Sequence, residues 1–331
     1  MSDEDESSGW HLTESDPGVF SELLKTLGVP LLVDDLYSLD PEALQTLKPI
    51  HAFIFLFKWV SSTSDERGGA SGTYDDAFPG FFAHQVVNNA CATLAVLNAL
   101  LNIPSLTMGP QLQDLQAFTN GMDAQMRGLA ITSSDFLREA HNSLSPPSAI
   151  SLDGLGGQKT KEDAYHFVVY LPVAGCLYEL DGLKKQPVNH GPVGEGGEGW
   201  LAKGREVIEA RIATYPPGSL EFSLLAIHDD PLPSLQAQLE SLQSSGNDLA
   251  SASIVSRISQ ENEKRQQWAF ENSLRRHNHV GLVHALTLAL AKSGRLEAAA
   301  QQARVKMTER VEKAAAKAKA EGKEGHEMDE D

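Results

Sequence analysis

The stretch from Tyr165 to Gly182, YHFVVYLPVAGCLYELDG, decides how this chain is read. Two runs rich in β-branched and aromatic residues, YHFVVYLP and CLYELDG, flank a short loop, the pattern of adjacent strands joined by a hairpin. With Pro172–Gly175 as the loop, Leu171 pairs with Cys176 and paired residue numbers sum to 347. His166 then lies opposite Asp181 on one face, with Cβ atoms about 5 Å apart. A slip of one residue would put the two on opposite faces. A histidine beside a carboxylate is either a structural ion pair or the oriented base of a nucleophilic triad. In the triad the carboxylate fixes the ring tautomer and stabilises the imidazolium. Both readings stay open on these residues alone.

A triad needs a nucleophile, and the chain has two cysteines. In QVVNNACATLAVLNALLN, residues 85–102, Cys91 follows two asparagines and opens an apolar helix. Asn88 or Asn89 as cap leaves Cys91 in the first turn, and Leu94, Val96, Leu97, Leu100 and Leu101 bury the later turns. A thiol there meets the positive end of the helix dipole, which favours the attacking thiolate. The plainer reading is inert packing, since free cysteine is among the most buried residue types. Gln85, six residues earlier, can donate to an oxyanion beside the Cys91 backbone N–H, or serve as an ordinary polar residue near a helix start. Cys176, beside Gly175, has no acid or base at useful spacing and reads as core. His84 and His190 read as loop residues without a paired cysteine, so no zinc site is expected.

The 331 residues are 41 % hydrophobic, enough for one large domain with appendages. Two cysteines exclude a disulfide framework. The start, MSDEDESSGW, is acidic and polar rather than signal-like, and runs such as AFIFLF are too short to cross a bilayer. A soluble intracellular protein is expected. Net charge is −18 and uneven: residues 1–255 hold 13 Lys and Arg against 33 Asp and Glu, whereas 256–331 hold 14 against 12. An acidic body repels phosphate, so nucleic acid is not an expected partner, and it steers a basic one.

Outward from the hairpin, ESDPGVFSELLKTLGV reads as a helix capped by Asp16 with Pro17 at its first position. HAFIFLFKWV (51–60) reads as a buried strand and 61–80 as a Gly-rich loop. Helices are expected over 110–127 and 133–144, the latter capped by Ser133 or Ser134. The run 145–164 has two prolines, three glycines and no periodicity, and a structureless stretch of that length is usually functional. NHGPVGEGGEGW (189–200) reads as loop, WLAKGREVIEARIATY as helix and LEFSLLAIHDD as the last strand. The expected organisation is a disordered acidic segment 1–8, a globular domain 9–230, a helical extension 231–310 and a charged disordered tail 311–331. The extension's best apolar face runs through Val280, Leu282, Val283, Leu286 and Leu290.

These motifs together resemble one family. QVVNNACAT is similar to the active-site segment of the ubiquitin C-terminal hydrolases, papain-like cysteine peptidases with glutamine, five residues, then cysteine. DAYHFVVYLPVAGCLYELDGL resembles the segment with the family's histidine and aspartate. GWHLTESDPGVFSELLKTLGV and LDPEALQTLKPIHAFIFLFKW are similar to its N-terminal portion. WAFENSLRRHNHVGLVHALTLALAKSGRLEAAAQQAR (268–304) resembles the extension of the proteasome-associated branch.

The resemblance implies an α+β fold, a central antiparallel sheet flanked by helices with a knotted backbone, plus an all-α extension. It implies a deubiquitinating thiol hydrolase cleaving amide and isopeptide bonds at ubiquitin's C-terminal glycine, without cofactor or metal. Cys91 would be the nucleophile, His166 the base and then acid, Asp181 the orienting carboxylate and Gln85 the oxyanion donor. Glu14 and Asp35 fall where the family presents acidic contacts to ubiquitin. The loop 145–164 corresponds to the family's active-site crossover. Implied partners are ubiquitin and its conjugates and, through the extension, the proteasome's ubiquitin-receptor subunit, with a chromatin-remodelling complex in animals. Neither nucleic acid nor membrane is implied, and the location would be cytoplasmic and nuclear. The rival expectation is an adaptor that binds ubiquitin with its site autoinhibited, which turnover of a ubiquitin–fluorophore amide would separate.

Overall fold

A computed structural model describes residues 8–58, 72–145, 165–194, 199–215, 222–245, 248–277 and 279–308. The expected disordered ends, nearly all of the crossover loop and most of the Gly-rich insertion lie outside these residues.

The core is an antiparallel sheet. Its strands are β1 (Leu31–Asp35), β2 (Ile50–Lys58), β3 (Thr73–Tyr74), β4 (Tyr165–Val173), β5 (Cys176–Leu180), β6 (Val188–Pro192) and β7 (Phe222–Asp229), in the spatial order β1-β7-β2-β4-β5-β6-β3. The interior strand β2 is apolar without alternation because both its faces are covered. Ile54 faces one core cluster, and Phe53 and Phe55 the other; all three are fully buried. Helices α1 (Pro17–Thr26) and α3 (Cys91–Leu100) cover the first face, with α6 (Asp135–Asn142) beside them. Helix α7 (Gly199–Ile212) and the short α2 (Pro41–Thr46) cover the second through Trp200, Val207, Ile208 and Leu44. This is the α+β layering the resemblance implies.

Local rules account for several boundaries. Asp16 caps α1 by accepting from the Val19 N–H at 3.0 Å, with Pro17 at the first position. Ser134, not Ser133, caps α6 by accepting from the Leu137 N–H. The helix expected over 110–127 is two, α4 (Pro110–Phe118) and α5 (Ala124–Thr132). The break falls at Gly121, with φ of 76°, and Asp123 caps the second piece by accepting from the Met126 N–H. The 189–200 segment is not wholly loop, since β6 runs through Asn189, His190 and Gly191.

The hairpin register also differs from expectation. Val173 pairs with Cys176 and Val169 with Leu180, displaced by two from the expected register. The turn is two residues, Ala174 at φ 48° and Gly175 at φ 82°, matching the right-handed twist that favours mirror-image turns. A shift of two preserves the face of every side chain, so His166 and Asp181 still meet, as diagonal rather than direct neighbours.

Two compact units divide the chain, the first ending at Arg276 and the second starting at His277. The last strand ends near the expected boundary at 230, but helices α8 (Pro231–Ser244) and α9 (Asp248–Arg276) belong to the first unit. Along α9, Arg265 pairs with Asp230 at 2.6 Å, Lys264 with Asp34 at 2.8 Å, Arg275 with Asp16 at 2.9 Å and Arg276 with Glu22 at 2.9 Å. Such partly exposed pairs contribute little each, on the order of 0–1 kcal/mol. The buried Asn272, donating to the Gly18 carbonyl at 2.9 Å, and Trp268 against Gly18 fix the helix more firmly. In the second unit, α10 (Val280–Lys292) leaves Leu282, Val283 and Leu286 between 46 and 57 % exposed. A further helical run covers 296–308.

A Cβ at Gly18 would come within 2.8–2.9 Å of the base of the Trp268 side chain, which has no freedom to yield there. Gly18→Val should therefore loosen α9: amide exchange across Asp248–Arg276 should speed up, while exchange in β2 and β7 stays as in the parent chain.

Candidate functional site

Helix α3 delivers Cys91. All ten of its residues are buried, which is the environment a helix apolar on every side requires. Cys91 is its first residue, 8 % exposed. The expected asparagine cap is not made: Ala90 occupies the cap position, without a side-chain hydrogen bond. Asn89 is instead in the left-handed region, at φ 65°, and its amide donates to the Trp10 carbonyl at 3.2 Å. Asparagine tolerates that backbone better than most residues. The sharp turn, rather than a cap, sets Cys91 at the head of the helix.

His166 comes from β4. Its Nε2 meets the Asp181 Oδ1 at 2.6 Å, and its ring also hydrogen-bonds the Cys91 side chain. With Nε2 donating to the carboxylate, the bond to sulfur falls to Nδ1. Phe57 stands edge-on to the ring at 5.9 Å, with planes at 83°. Burial alone would push His166 down; the Asp181 charge and hydrogen bond, with the Cys91 side chain adding, outweigh it and lift the ring to about 9. Asp181 follows the last residue of β5 and is wholly buried. The Leu183 N–H donates to its Oδ1 at 2.9 Å.

Gln85 belongs to a segment held on three sides. Asn98, buried on α3, accepts from the Ala83 N–H at 2.9 Å and donates to the Ala83 carbonyl at 3.3 Å. Asn102 clamps Phe81 in the same way, at 2.7 Å in each direction. The Gln85 N–H donates to the Gly182 carbonyl at 2.9 Å, directly after Asp181. The structure thus brings together two distant stretches, Gln85–Cys91 and the hairpin carrying His166 and Asp181: the ring joins Cys91 to Asp181, and the Gln85 backbone is fastened to Gly182. Gln85 Oε1 and Asp181 Oδ2 are buried without a hydrogen-bond partner among the described residues. A sulfur, an imidazole, a buried acid and a carboxamide in this arrangement can perform acyl transfer.

Glu14 and Asp35 are not part of this hydrogen-bonded set. Glu14 accepts from Arg275 at 3.2 Å. Asp35, at the end of β1, accepts from the Tyr37 hydroxyl at 3.2 Å. Burial holds its carboxyl above the usual range, with Asp16 and Asp34 adding to the effect over the opposing Tyr37 bond. Cys176 packs against the core, as expected.

Sequence reasoning missed the asparagine clamps, whose signal was one amide inside an otherwise apolar helix and a second just after its end. It also missed His190, which is buried on β6 with its Nε2 3.2 Å from Glu179.

Residues 10–213 match the family model described as ubiquitin carboxyl-terminal hydrolase, family 1. Residues 252–296 match a second, described as ubiquitin carboxyl-terminal hydrolases. The ubiquitin carboxyl-terminal hydrolase 2 of Schizosaccharomyces pombe is 38 % identical over 285 residues, covering 86 % of this chain and 91 % of that protein. The ubiquitin carboxyl-terminal hydrolase isozyme L5 of Dictyostelium discoideum is 31 % identical over 345 residues, covering 92 % and 98 %. Among solved structures, Trichinella spiralis UCH37 bound to ubiquitin vinyl methyl ester aligns with a TM-score of 0.64 at 33 % identity, over 78 % of this chain and 99 % of that one.

Because His166 holds its proton more tightly folded than unfolded, its contribution to stability is fully present below about 6.5 and is lost as pH rises through about 9. Denaturant unfolding followed across that window should show stability falling with pH, and Asp181→Asn should flatten the slope.

Proposed function

This chain belongs to the ubiquitin carboxyl-terminal hydrolase family of cysteine peptidases, and on that premise we propose that Cys91, His166, Asp181 and Gln85 carry out its hydrolysis of amide and isopeptide bonds at the C-terminal glycine of ubiquitin. The observation that supports the assignment best is the shared ring: His166 binds Asp181 at 2.6 Å on one side and the Cys91 side chain on the other.

The chemistry follows from that geometry. His166 takes the thiol proton, leaving an imidazolium beside a thiolate. The sulfur attacks the carbonyl of the terminal glycine, and His166 passes the proton to the departing amine. Water, deprotonated by the same ring, then breaks the thioester. Among the described residues Asp181, sealed from solvent, meets the ring and its own turn, so its part is to fix the tautomer and steady the imidazolium. The oxyanion is met by the Gln85 carboxamide and the Cys91 N–H, which at a helix start has no intrahelical partner. Ubiquitin is the substrate in this reading, its basic tail matched by the acidic body, with Glu14 and Asp35 among the contacts.

The further partner is the proteasome's ubiquitin-receptor subunit, bound through the unit that begins at His277. The match of 252–296 to the second family model and the exposed leucines of α10 support this. Cytoplasmic and nuclear residence goes with that partnership.

Cys91→Ala should abolish turnover of ubiquitin carrying a C-terminal fluorophore while retaining ubiquitin binding; loss of both would mean that Cys91 is structural. Asp181→Asn should lower kcat by roughly 10²–10⁴-fold through the wrong tautomer. Truncation after Arg276 should leave turnover of this small substrate intact and end capture by proteasomes; capture that survives would contradict the assignment.

A further inference from the structure

Behind the His166–Asp181 pair lies a second, largely buried charged cluster that the chemistry above does not use. Glu179, on β5 two residues before Asp181, is 2 % exposed. Its Oε1 accepts from Lys184 Nζ and from Arg211, each at 2.9 Å, and its Oε2 lies 3.2 Å from His190 Nε2. Arg211, on α7, also donates to the Tyr170 hydroxyl at 2.8 Å. Three cationic or ionisable partners meet one carboxylate here, and they hold it well below the usual range despite its burial. Ionic groups this deep in a sheet contribute little net stability over apolar replacements, so their placement calls for another account.

Two arms run from Glu179 to the catalytic pair. The first is Lys184, whose side chain reaches back to Glu179 while its own N–H donates to the Asp181 carbonyl at 3.0 Å. Residues 179–184 thus form a loop closed by an ion pair, with Asp181 and Gly182 at its apex. Gly182 is wedged there: a Cβ on it would lie 3.0 Å from Leu94 of the Cys91 helix and 3.1 Å from the Gln85 nitrogen. The second arm is Arg211, whose guanidinium lies 4.1 Å from the centroid of the Phe57 ring, the same ring that stands edge-on to His166.

We propose that Glu179, acting through Lys184 and Arg211, is a positioning residue that holds the Asp181 turn and the His166 ring in register with each other and with Gln85. The proposal rests on the catalytic assignment given above. Displacement of the turn would move the acid and the oxyanion donor together, because the Gln85 N–H is fastened to the Gly182 carbonyl. Misplacement by about 1 Å commonly costs on the order of 10²-fold in rate.

The full chain tests this with Lys184→Met, which leaves Glu179 paired with Arg211 and His190, and Lys184→Arg, which restores a cation. Turnover of the ubiquitin–fluorophore amide is measured from pH 6 to 10 per active site titrated with ubiquitin vinyl methyl ester, so that misfolded molecules are not counted. The expected result for Lys184→Met is a fall in kcat of roughly 10–100-fold with KM within about two-fold. The alkaline limb of the kcat profile should also move to lower pH, because a poorly aimed carboxylate lifts the ring less. Lys184→Arg should recover most of both. Should Lys184→Met lower the thermal midpoint yet leave kcat per site and the alkaline limb unchanged, the cluster is merely structural and the inference is overturned; failure of Lys184→Arg to recover turnover overturns it too. Cys91→Ala runs alongside: turnover surviving that change would remove the catalytic assignment itself, and this inference with it.

Discussion

One hydrogen bond, 2.6 Å from His166 Nε2 to a carboxylate sealed away from water, governs what the rest of the structure must supply. A lone charged carboxylate in an apolar interior is expensive, and a paired one survives only where the surroundings hold both partners in place. Asp181 meets that demand with the ring on one side and the Leu183 N–H of its own turn on the other. The ring meets it by retaining a proton well above neutral pH. The ring that stabilises the buried acid is the same ring that hydrogen-bonds the Cys91 side chain.

The sheet and the helices divide the remaining work. Strand β4 brings the ring, the end of β5 brings the acid, and α3 brings the sulfur to the one end of that helix where backbone N–H groups stay unengaged. Asn98 within the helix and Asn102 just past its C-terminal end grip the backbone of Ala83 and Phe81. Those amides convert a packing helix into a ruler for the segment that ends in Gln85. Two of the four gathered side chains still have a buried oxygen with no partner among the described residues.

Much of this could be read in the residues beforehand, for identifiable reasons. Alternation along Tyr165–Leu180 specifies which side chains share a face, and faces survive an even displacement of register, so the meeting of His166 and Asp181 was legible although their exact opposition was not. The turn itself was misjudged because Ala174 takes a left-handed backbone that sequence assigns to glycine or asparagine. The asparagines before Cys91 look like caps, yet long-range bonding to Trp10 claims Asn89 instead. Strand β6 escaped notice because Asn, His and Gly carry weak strand preference, and the strand exists because His190 is drawn inward to Glu179. Helices α8 and α9 read as a separate extension since their composition differs from the domain before them. Their attachment depends on spaced residues such as Lys264, Trp268, Asn272 and Arg275, whose partners lie more than two hundred positions away.

That attachment bears on how tethered chemistry would operate. A flexible stretch covering the roughly 46 residues from 230 to 276 would let whatever follows roam over about 34–41 Å, diluting it around the site. Here the same length is folded down as a strut, pinned at Asp34, Gly18 and Glu22. Whatever follows Arg276 is thus joined to a point anchored on the first unit, rather than to the far end of a long tether.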